Sequence, residues 1–505
     1  MSRLSKNIIY NLFGQGLLFI LGFISVKYIF KQLGEDVLGI IYFAAMMNAV
    51  LCAVLEMGIC STTVREISGH FESEPEYIQA LIKTFSFFYW VVYILLGIAI
   101  YFLAPILVEK WINLKTMDIT TAIYILRVLG ISSLLALPKS FYCSLFRGLQ
   151  RMEFNNFIDV FTSGFQQLGT ILILILRGNL FHVVHWFAGC YVLSVLIYLV
   201  FSTRFFSLKA LIPGYFSNVV KRNSGFALMM ASITIIATIH MQADKVIISR
   251  LLPIGILGYY GFAYTSASKG GLLTSAISQA AFPSFSAQFK TGNHSGLISQ
   301  YRKLQDLLCF GIVPIFAAIP FALLPVFSYI LNADIAGLLL LPTTLLCVGF
   351  YMNGTLNIPY VFSLAVGKPR IAARVNFYAL FVVLPVTALL IYFFDLAGAG
   401  LSWVFYHIFA YSYGVPRICS ECLKISVRKW YEHIIKIFAL IILTYGLAWI
   451  INEFVGNHSI FSLAMAYIGA SIVYLIGSYF MIGDELKEAL FRLFRTLKAR
   501  IVEVA

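Results

Sequence analysis

Charge is what this 505-residue chain has least of. Asp, Glu, Lys and Arg together make up 11% of it, against 60% hydrophobic residues. So little charge cannot cover a water-facing surface of that size. A soluble multidomain protein is excluded, and most of the surface must face lipid. Acids are scarcer still, 22 against 36 bases, for a net charge of +14. The bases lie between apolar segments, not in one aromatic-studded patch. That excludes a nucleic-acid surface and fits positively charged loops on one side of a membrane. There is no GxxxxGK[ST] stretch, and Gly367-Lys368 is followed by Pro369, so the chain carries no ATP-driven motor of that type. No connection between apolar segments is long enough to hold a catalytic domain. The eight cysteines are dispersed. Cys419 and Cys422 form an isolated CSEC with no second pair, which reads as two ordinary thiols and not as a zinc or redox site. His182 and His185 open a span without acid neighbours, so interface packing explains them better than a metal site.

What is there instead is a series of apolar runs of membrane-spanning length. Fourteen are expected, at 8–30, 37–60, 82–108, 119–146, 155–176, 182–203, 224–248, 254–281, 307–331, 336–366, 371–394, 397–418, 433–451 and 459–482. Segment 336–366 is long enough to be broken. The run after Arg3 and Lys6 ends without a small-residue cleavage site, so it reads as the first span and not as a signal peptide. With the N-terminus cytoplasmic, that side receives Arg65, Lys83, Arg147, Arg204, Lys221, Arg222, Arg302, Lys368, Arg428 and other bases. The opposite side receives little beyond Lys31, Lys110, Lys115, Arg177 and Arg250. This asymmetry predicts that both termini are cytoplasmic. Ser73-Glu-Pro-Glu76 predicts a capping box with proline in the first turn of the third span. From Asp484 onward, Leu486, Leu490, Leu493, Phe494, Leu497 and Ile501 fall on one stripe. Residues 483–505 therefore read as an amphipathic helix on the inner leaflet.

The chain also repeats itself. LGEDVLGIIYFA, Leu33 to Ala44, returns 219 positions later as LPIGILGYYGFA, Leu252 to Ala263. The copies begin six spans apart and so share one orientation. That predicts two halves related by an axis along the membrane normal, with a binding site where they meet, as in secondary transporters. The expected architecture is an all-α polytopic membrane protein of about fourteen helices. Residues 1–203 form an N-terminal six-helix bundle, 204–223 a cytoplasmic linker, 224–418 a C-terminal six-helix bundle, and 419–482 two additional helices.

Ionisable groups inside spans cost about 2.5–3.5 kcal/mol each at the bilayer centre on insertion scales, which makes them functional candidates. They are Lys27, Glu56, Arg127, Lys139, Asp159, Asp244, Lys245 and Lys269. Snorkelling to an interface accounts equally well for Lys139, Lys245, Glu56 and Asp159. Lys269 lies in TSASKGGLLTSAISQ, too polar for a lipid-facing helix, and is read as facing a cavity. With Arg127 and Lys27 it gives a cationic lining that attracts phosphates. Asp244 with Lys27 or Arg127 outside, and Glu56 or Asp159 with Lys139 inside, are candidate gating pairs. Asp244 capping a helix end or holding Lys245 is the competing explanation. Prolines 138, 314, 320, 325, 342, 359 and 385 permit kinks or hinges.

KNIIYNLFGQGLLFILGF, LGEDVLGIIYFA and EMGICSTTVREIS resemble the opening of Wzx-type polysaccharide-biosynthesis flippases of the multidrug/oligosaccharidyl-lipid/polysaccharide (MOP) exporter superfamily. FRGLQRMEF, QADKVIISRLLPIGILGYYGFAY and FPSFS look like further family segments. The resemblance implies two MATE-like six-helix bundles around a central cavity, alternating access, and export of a lipid-linked sugar repeat unit. It puts Asp244 at the family's aspartate and Arg65 at its arginine. No cofactor is implied, and coupling to a H+ or Na+ gradient stays open. The implied partners are the lipid-linked oligosaccharide, membrane lipid, and the polysaccharide polymerase and chain-length machinery. A membrane polymerase or glycosyltransferase would need a substantial outside loop with catalytic acids or arginines. A multidrug exporter of the same fold would favour acids in its cavity, and a peptidoglycan-precursor flippase shares the architecture.

Overall fold

The computed structural model describes residues 3–56, 58–456, 458–489 and 491. The chain divides into two compact units, 1–261 and 262–505. Unit 1 holds α1 (Arg3–Leu33), α2 (Glu35–Leu55), α3 (Ile59–His70), α4 (Pro75–Lys110), α5 (Ile119–Ser133), α6 (Ala136–Gly148), α7 (Met152–Ile175), α8 (Leu180–Ser202), the single turn α9 (Leu208–Leu211), and α10 (Ser217–Leu251). The boundary falls inside α11 (Ile254–Ser268). Unit 2 continues with α12 (Leu272–Lys290), α13 (His294–Gly311), α14 (Val313–Ile330), α15 (Ala333–Ala365), α16 (Arg370–Ile418), α17 (Val427–Ile441), α18 (Leu447–Val455) and α19 (Ile460–Met481).

Among the described residues, twelve helical segments are long and apolar enough to cross a membrane. The longest, Arg370–Leu423, is broken at Asp395, whose φ of 48° and ψ of −128° are not helical. Counting its two arms separately, and adding Ile254–Lys290, gives the fourteen spans expected. That added segment is interrupted by a 3₁₀ turn at Lys269–Gly271. The chain is a multi-pass membrane protein. Helix is the form that lets each span satisfy its own backbone in lipid.

In unit 1, α3, α4, α6 and α8 surround a core that includes Ile67, Leu81, Phe141, Phe146 and Tyr198. The far side of α4 presents Leu95, Ile98 and Phe102 outward. In lipid such exposure carries no hydrophobic penalty, so association rests on close packing and buried polar contacts. In unit 2, α15 is the central helix and packs against α12, α13, α14 and α16. It runs unbroken over 33 residues despite Pro342 and Pro359, where the sequence allowed a break.

Proline placement has a visible consequence where α13 meets α14. Pro314 lacks an N–H, so the Phe310 carbonyl loses its helical donor. The Tyr474 hydroxyl from α19 donates to that carbonyl at 3.1 Å, and Tyr467 donates to the Pro314 carbonyl at 3.0 Å. The Tyr351 hydroxyl donates to the Cys309 carbonyl at 3.2 Å. The Tyr474 bond restores a backbone partner that lipid cannot supply, and two of the three tyrosines come from α19.

The capping box expected at Ser73–Glu76 does not form. The N-cap of α4 is Glu74, it makes no side-chain cap, and Pro75 takes the first helical position. The Glu74 carboxylate is instead engaged by Arg222. The second span also differs from a simple helix. It stops at Glu56 and resumes as α3 after Gly58, which has φ +66°. Of the tail, residues 484–489 are helical with Leu486 buried. The expected stripe from Leu490 onward, Phe491 apart, lies outside the described residues.

Candidate functional site

The repeated motif turns out to be a contact. Gly39 and Gly258 hold the same position in the two copies, and they face one another within unit 1. A Cβ on Gly258 would stand 2.8 Å from the Gly39 nitrogen, and one on Gly39 would overlap the Ile254 carbonyl. Only glycine at both places lets α2 and α11 cross so closely.

Polar groups secure this end of the unit. Asp36 is 1% exposed, and its Oδ2 accepts the backbone N–H groups of Lys115, Thr116 and Met117 at 3.0, 2.7 and 3.0 Å. The loop before α5 is thereby wrapped around one carboxylate. Tyr259 donates to Glu35 at 2.6 Å, the Ile254 N–H to the Asn113 carbonyl at 2.9 Å, and the Trp111 indole to Ser249 at 3.0 Å. Asp244, 2% exposed, accepts from Tyr260 at 2.6 Å and from the Lys245 N–H at 2.8 Å. The Lys245 ammonium lies 3.3 Å from Asp244 Oδ1 and donates to the Met241 carbonyl at 2.8 Å.

At the other end of α10 a second cluster gathers around Glu66, which is 3% exposed. Arg65 Nε donates to its Oε1 at 2.8 Å, and Tyr77 donates to Oε2 at 3.0 Å. His70 and Arg222 stand 3.4 and 3.9 Å from Oε2. Arg65 also donates to Asn223 at 3.1 Å, and Asn223 donates to Tyr77 at 2.8 Å. Arg222 grips Glu74 through two bonds of 2.7 and 3.1 Å while its guanidinium covers the Tyr77 ring. The Arg222 hydrogen bond, first among the causes, holds the Glu74 carboxyl below the ordinary carboxylate range. The network joins α3, the start of α4 and the start of α10.

Sequence reasoning picked out Arg65 but missed Glu66, Tyr77, Arg222, Asn223 and Glu74 as a cluster. They lie on α3 and at the starts of α4 and α10, outside the apolar runs, where no insertion cost marks them out. The one local signal was the acid directly after Arg65.

The other expected residues are placed as follows. Lys139 and Asp159 form an ion pair of 2.9 Å, and Tyr198 donates to Asp159 at 3.2 Å. Glu56, the alternative partner of Lys139, ends α2 and has no ion pair among the described residues. Arg127 donates to the Tyr101 carbonyl at 3.0 Å and lies over the Tyr101 ring. The structure thus engages it with α4, and gives Asp244 the partner Lys245. Lys27 is half-buried on α1. Lys269 opens the 3₁₀ turn that interrupts its span, and its side chain forms no ion pair or hydrogen bond among the described residues.

Unit 2 contains two further spaces. A cavity of about 230 Å³ lies between α15 and both arms of α16; its lining is mostly apolar, with Asn353, Asn357, Asn376, Tyr406 and His407 as polar members. An apolar groove of about 680 Å³ runs along α14, α15, α17 and α18, past Phe316, Phe321, Tyr351, Phe438 and Trp449.

This helical arrangement is that of transporters of the MOP superfamily. A lipid II flippase, MurJ, in an inward closed conformation matches with a TM-score of 0.70 and 14% identity, over 94% of this chain and 98% of that one. An inward-facing MATE-family multidrug resistance transporter matches with a TM-score of 0.66 and 16% identity, over 81% and 95%. The chain belongs to the polysaccharide biosynthesis protein family, whose model matches residues 4–289. A Shigella flexneri protein provisionally named an O-antigen transporter is 20% identical over 407 residues, 79% of this chain and 93% of that protein.

Proposed function

We propose that this protein flips a lipid-linked oligosaccharide repeat unit, of the undecaprenyl-pyrophosphate type, across the bacterial cytoplasmic membrane for surface polysaccharide export. It works by alternating access, with both termini in the cytoplasm. The observation that carries this reading is the spacing of polar clusters along α10. Asn223 and Asp244 are 21 residues apart, about 32 Å of helix at about 1.5 Å per residue. That is the thickness of a bilayer core. One helix therefore bears a polar clasp at each membrane surface, as a gate on either side of a central path requires. The family and the named relatives support transport over polymerisation or glycosyl transfer.

The sugar head and pyrophosphate need a hydrophilic, cationic route, and the tail can stay in lipid. Lys269 is the first choice for the pyrophosphate, with Arg127 and Lys27 as further cations. The half-helix ends at the 3₁₀ turn beside Lys269 suit a polar cargo at mid-membrane depth. The apolar groove in unit 2 suits part of an isoprenoid tail. Asp244–Lys245 and Lys139–Asp159 belong to opposite gates, and the Glu66 cluster reinforces the cytoplasmic one. Two bundles, 1–203 and 224–418, move against each other, with 204–223 as their linker and the last two helices as an addition. No cofactor is needed beyond a H+ or Na+ gradient, and polymerase and chain-length proteins receive the product. Cells whose only copy carries Lys269→Ala should show normal membrane levels of the protein and much reduced surface glycan. Full export from cells with no copy at all would overturn the assignment.

A further inference from the structure

One cavity in unit 2 lies apart from everything used so far. It occupies about 290 Å³ between α13, the start of α17 and the end of α19. A water molecule's share of liquid volume is about 30 Å³, so the space is more than a single-water pocket. Three of its lining residues are more than nine-tenths buried and carry a polar atom with no partner: two are donors, and the third is an acceptor, Gln305 Oε1. Tyr301 is 3% exposed and its hydroxyl is unsatisfied; Trp430 is 4% exposed and so is its indole N–H. A buried donor left unpaired costs about 1–3 kcal/mol, so a ligand that accepts from both is favoured.

The rest of the lining points to the ligand's charge. Arg302 and Lys429 stand at the rim. The acids present are already engaged: Asp306 accepts the Gly483 N–H at 2.7 Å and lies 3.0 Å from His433 Nε2, while Glu485 lies 3.6 Å from Arg302. Lys429 forms no ion pair among the described residues. Depth matters as well. Tyr301 and Arg302 precede the apolar run that begins at 307, and Trp430 precedes the one at 433. Tyrosine, tryptophan and basic residues at span ends mark the headgroup level.

We propose that this cavity binds a phosphate group, with Tyr301 and Trp430 donating from within and Lys429 and Arg302 from the rim. At that depth the phosphate belongs to an anionic phospholipid or to free phosphate from the cytoplasm. The site is independent of what the transporter carries. Lipid held there would brace α13 against the last two helices.

The test uses the full-length protein purified in neutral detergent, with bound phospholipid read by native mass spectrometry. Tyr301→Phe keeps the ring and removes only the hydroxyl, and Trp430→Phe removes the indole N–H while leaving a smaller aromatic ring in its place. Wild type should retain phosphatidylglycerol over phosphatidylcholine, and the double variant should retain about tenfold less, equivalent to about 1.4 kcal/mol. Lys429→Gln should weaken retention without altering the melting midpoint. In lipid-free protein, millimolar inorganic phosphate should shift the indole emission of wild type but not of Trp430→Phe if free phosphate is the natural occupant. No such shift, with phosphatidylglycerol retained, assigns the site to lipid. Equal retention of phosphatidylglycerol and phosphatidylcholine by wild type and double variant, with no response to phosphate, would overturn the proposal. A double variant that melts like wild type makes any loss of lipid specific to the site.

Discussion

Replacing Glu66 with glutamine leaves the side chain's volume intact and removes the charge at the centre of the α3–α4–α10 cluster. Arg65, Tyr77 and His70 are its close neighbours, and Arg222 stands just beyond. Breaking a fully buried ion pair by removing one partner costs about 3–5 kcal/mol. Here Glu66 is buried, but the side chains of Arg65 and Arg222 are both 41% exposed, and water screens what they lose. The Tyr77 bond can survive to the amide oxygen, whereas the amide NH₂ then faces Arg65. The net cost is about 2 kcal/mol, near the middle of the range for hydrogen bonds to charged groups. If the cluster holds only in the conformation described, this biases the protein away from it by about thirtyfold, since about 1.4 kcal/mol is tenfold. The assay is twofold. Cysteine at Ser224 should react faster with a water-soluble maleimide in the Glu66→Gln background, and the detergent-solubilised variant should unfold at lower denaturant. A double-mutant cycle with Arg65→Gln should show coupling of about 1–3 kcal/mol. Unchanged reactivity together with a stability change under about 0.5 kcal/mol would refute the cluster as a clasp.

At the other end of α10, Asp244→Asn alone should reduce export more than Asp244→Asn with Lys245→Gln, because the single change strands a buried ammonium; strictly additive losses would show the pair has no gating role. Gly39→Leu or Gly258→Leu should abolish export and lower the melting midpoint, each forcing α2 and α11 apart, whereas Gly69→Leu, which meets open space, should be near neutral. The Glu74 carboxyl is held low by Arg222, so its stabilising contribution is complete above the unfolded value near about 4.3 and is lost as pH falls through the lower folded value. The melting difference between wild type and Glu74→Gln should therefore be flat from pH 8 to 5 and shrink only below about pH 4; a difference that vanished by pH 6 would contradict the assignment.

The sequence was most readable where one local rule decided the structure. Apolar length set the spans, down to the paired arms of α16, because lipid leaves the backbone no alternative to helix. The internal repeat was visible as a pattern, and its glycines proved to be the contact itself. The register showed that Gly39 and Gly258 correspond, and the coordinates showed that they touch. Less was readable where a partner sat far away in sequence. Ser73 and Glu76 looked like a capping pair, but the helix starts one residue later, with Glu74 as its N-cap, and the Glu74 carboxylate is held by Arg222, 148 residues on, through a bidentate charged bond. Lys269 was singled out by its serine- and glycine-rich surroundings, and the 3₁₀ turn shows what that composition allows. A polar, glycine-bearing stretch can leave the α-helix at mid-span at little cost. The Glu66 cluster escaped notice because the search followed charges inside spans, and Glu66 lies on a short helix beyond one.

The most direct test is translocation by the purified protein in vesicles. A polyprenyl-pyrophosphate oligosaccharide with a fluorescent head is placed in both leaflets, and a membrane-impermeant reductant then bleaches the outer one. Protein-free vesicles should retain about half of the signal, and vesicles containing this protein should lose nearly all of it within minutes, with Lys269→Ala markedly slower. A bleaching plateau identical with and without the protein, in vesicles where its insertion is verified and a gradient of H+ or Na+ is imposed, would contradict the flippase assignment.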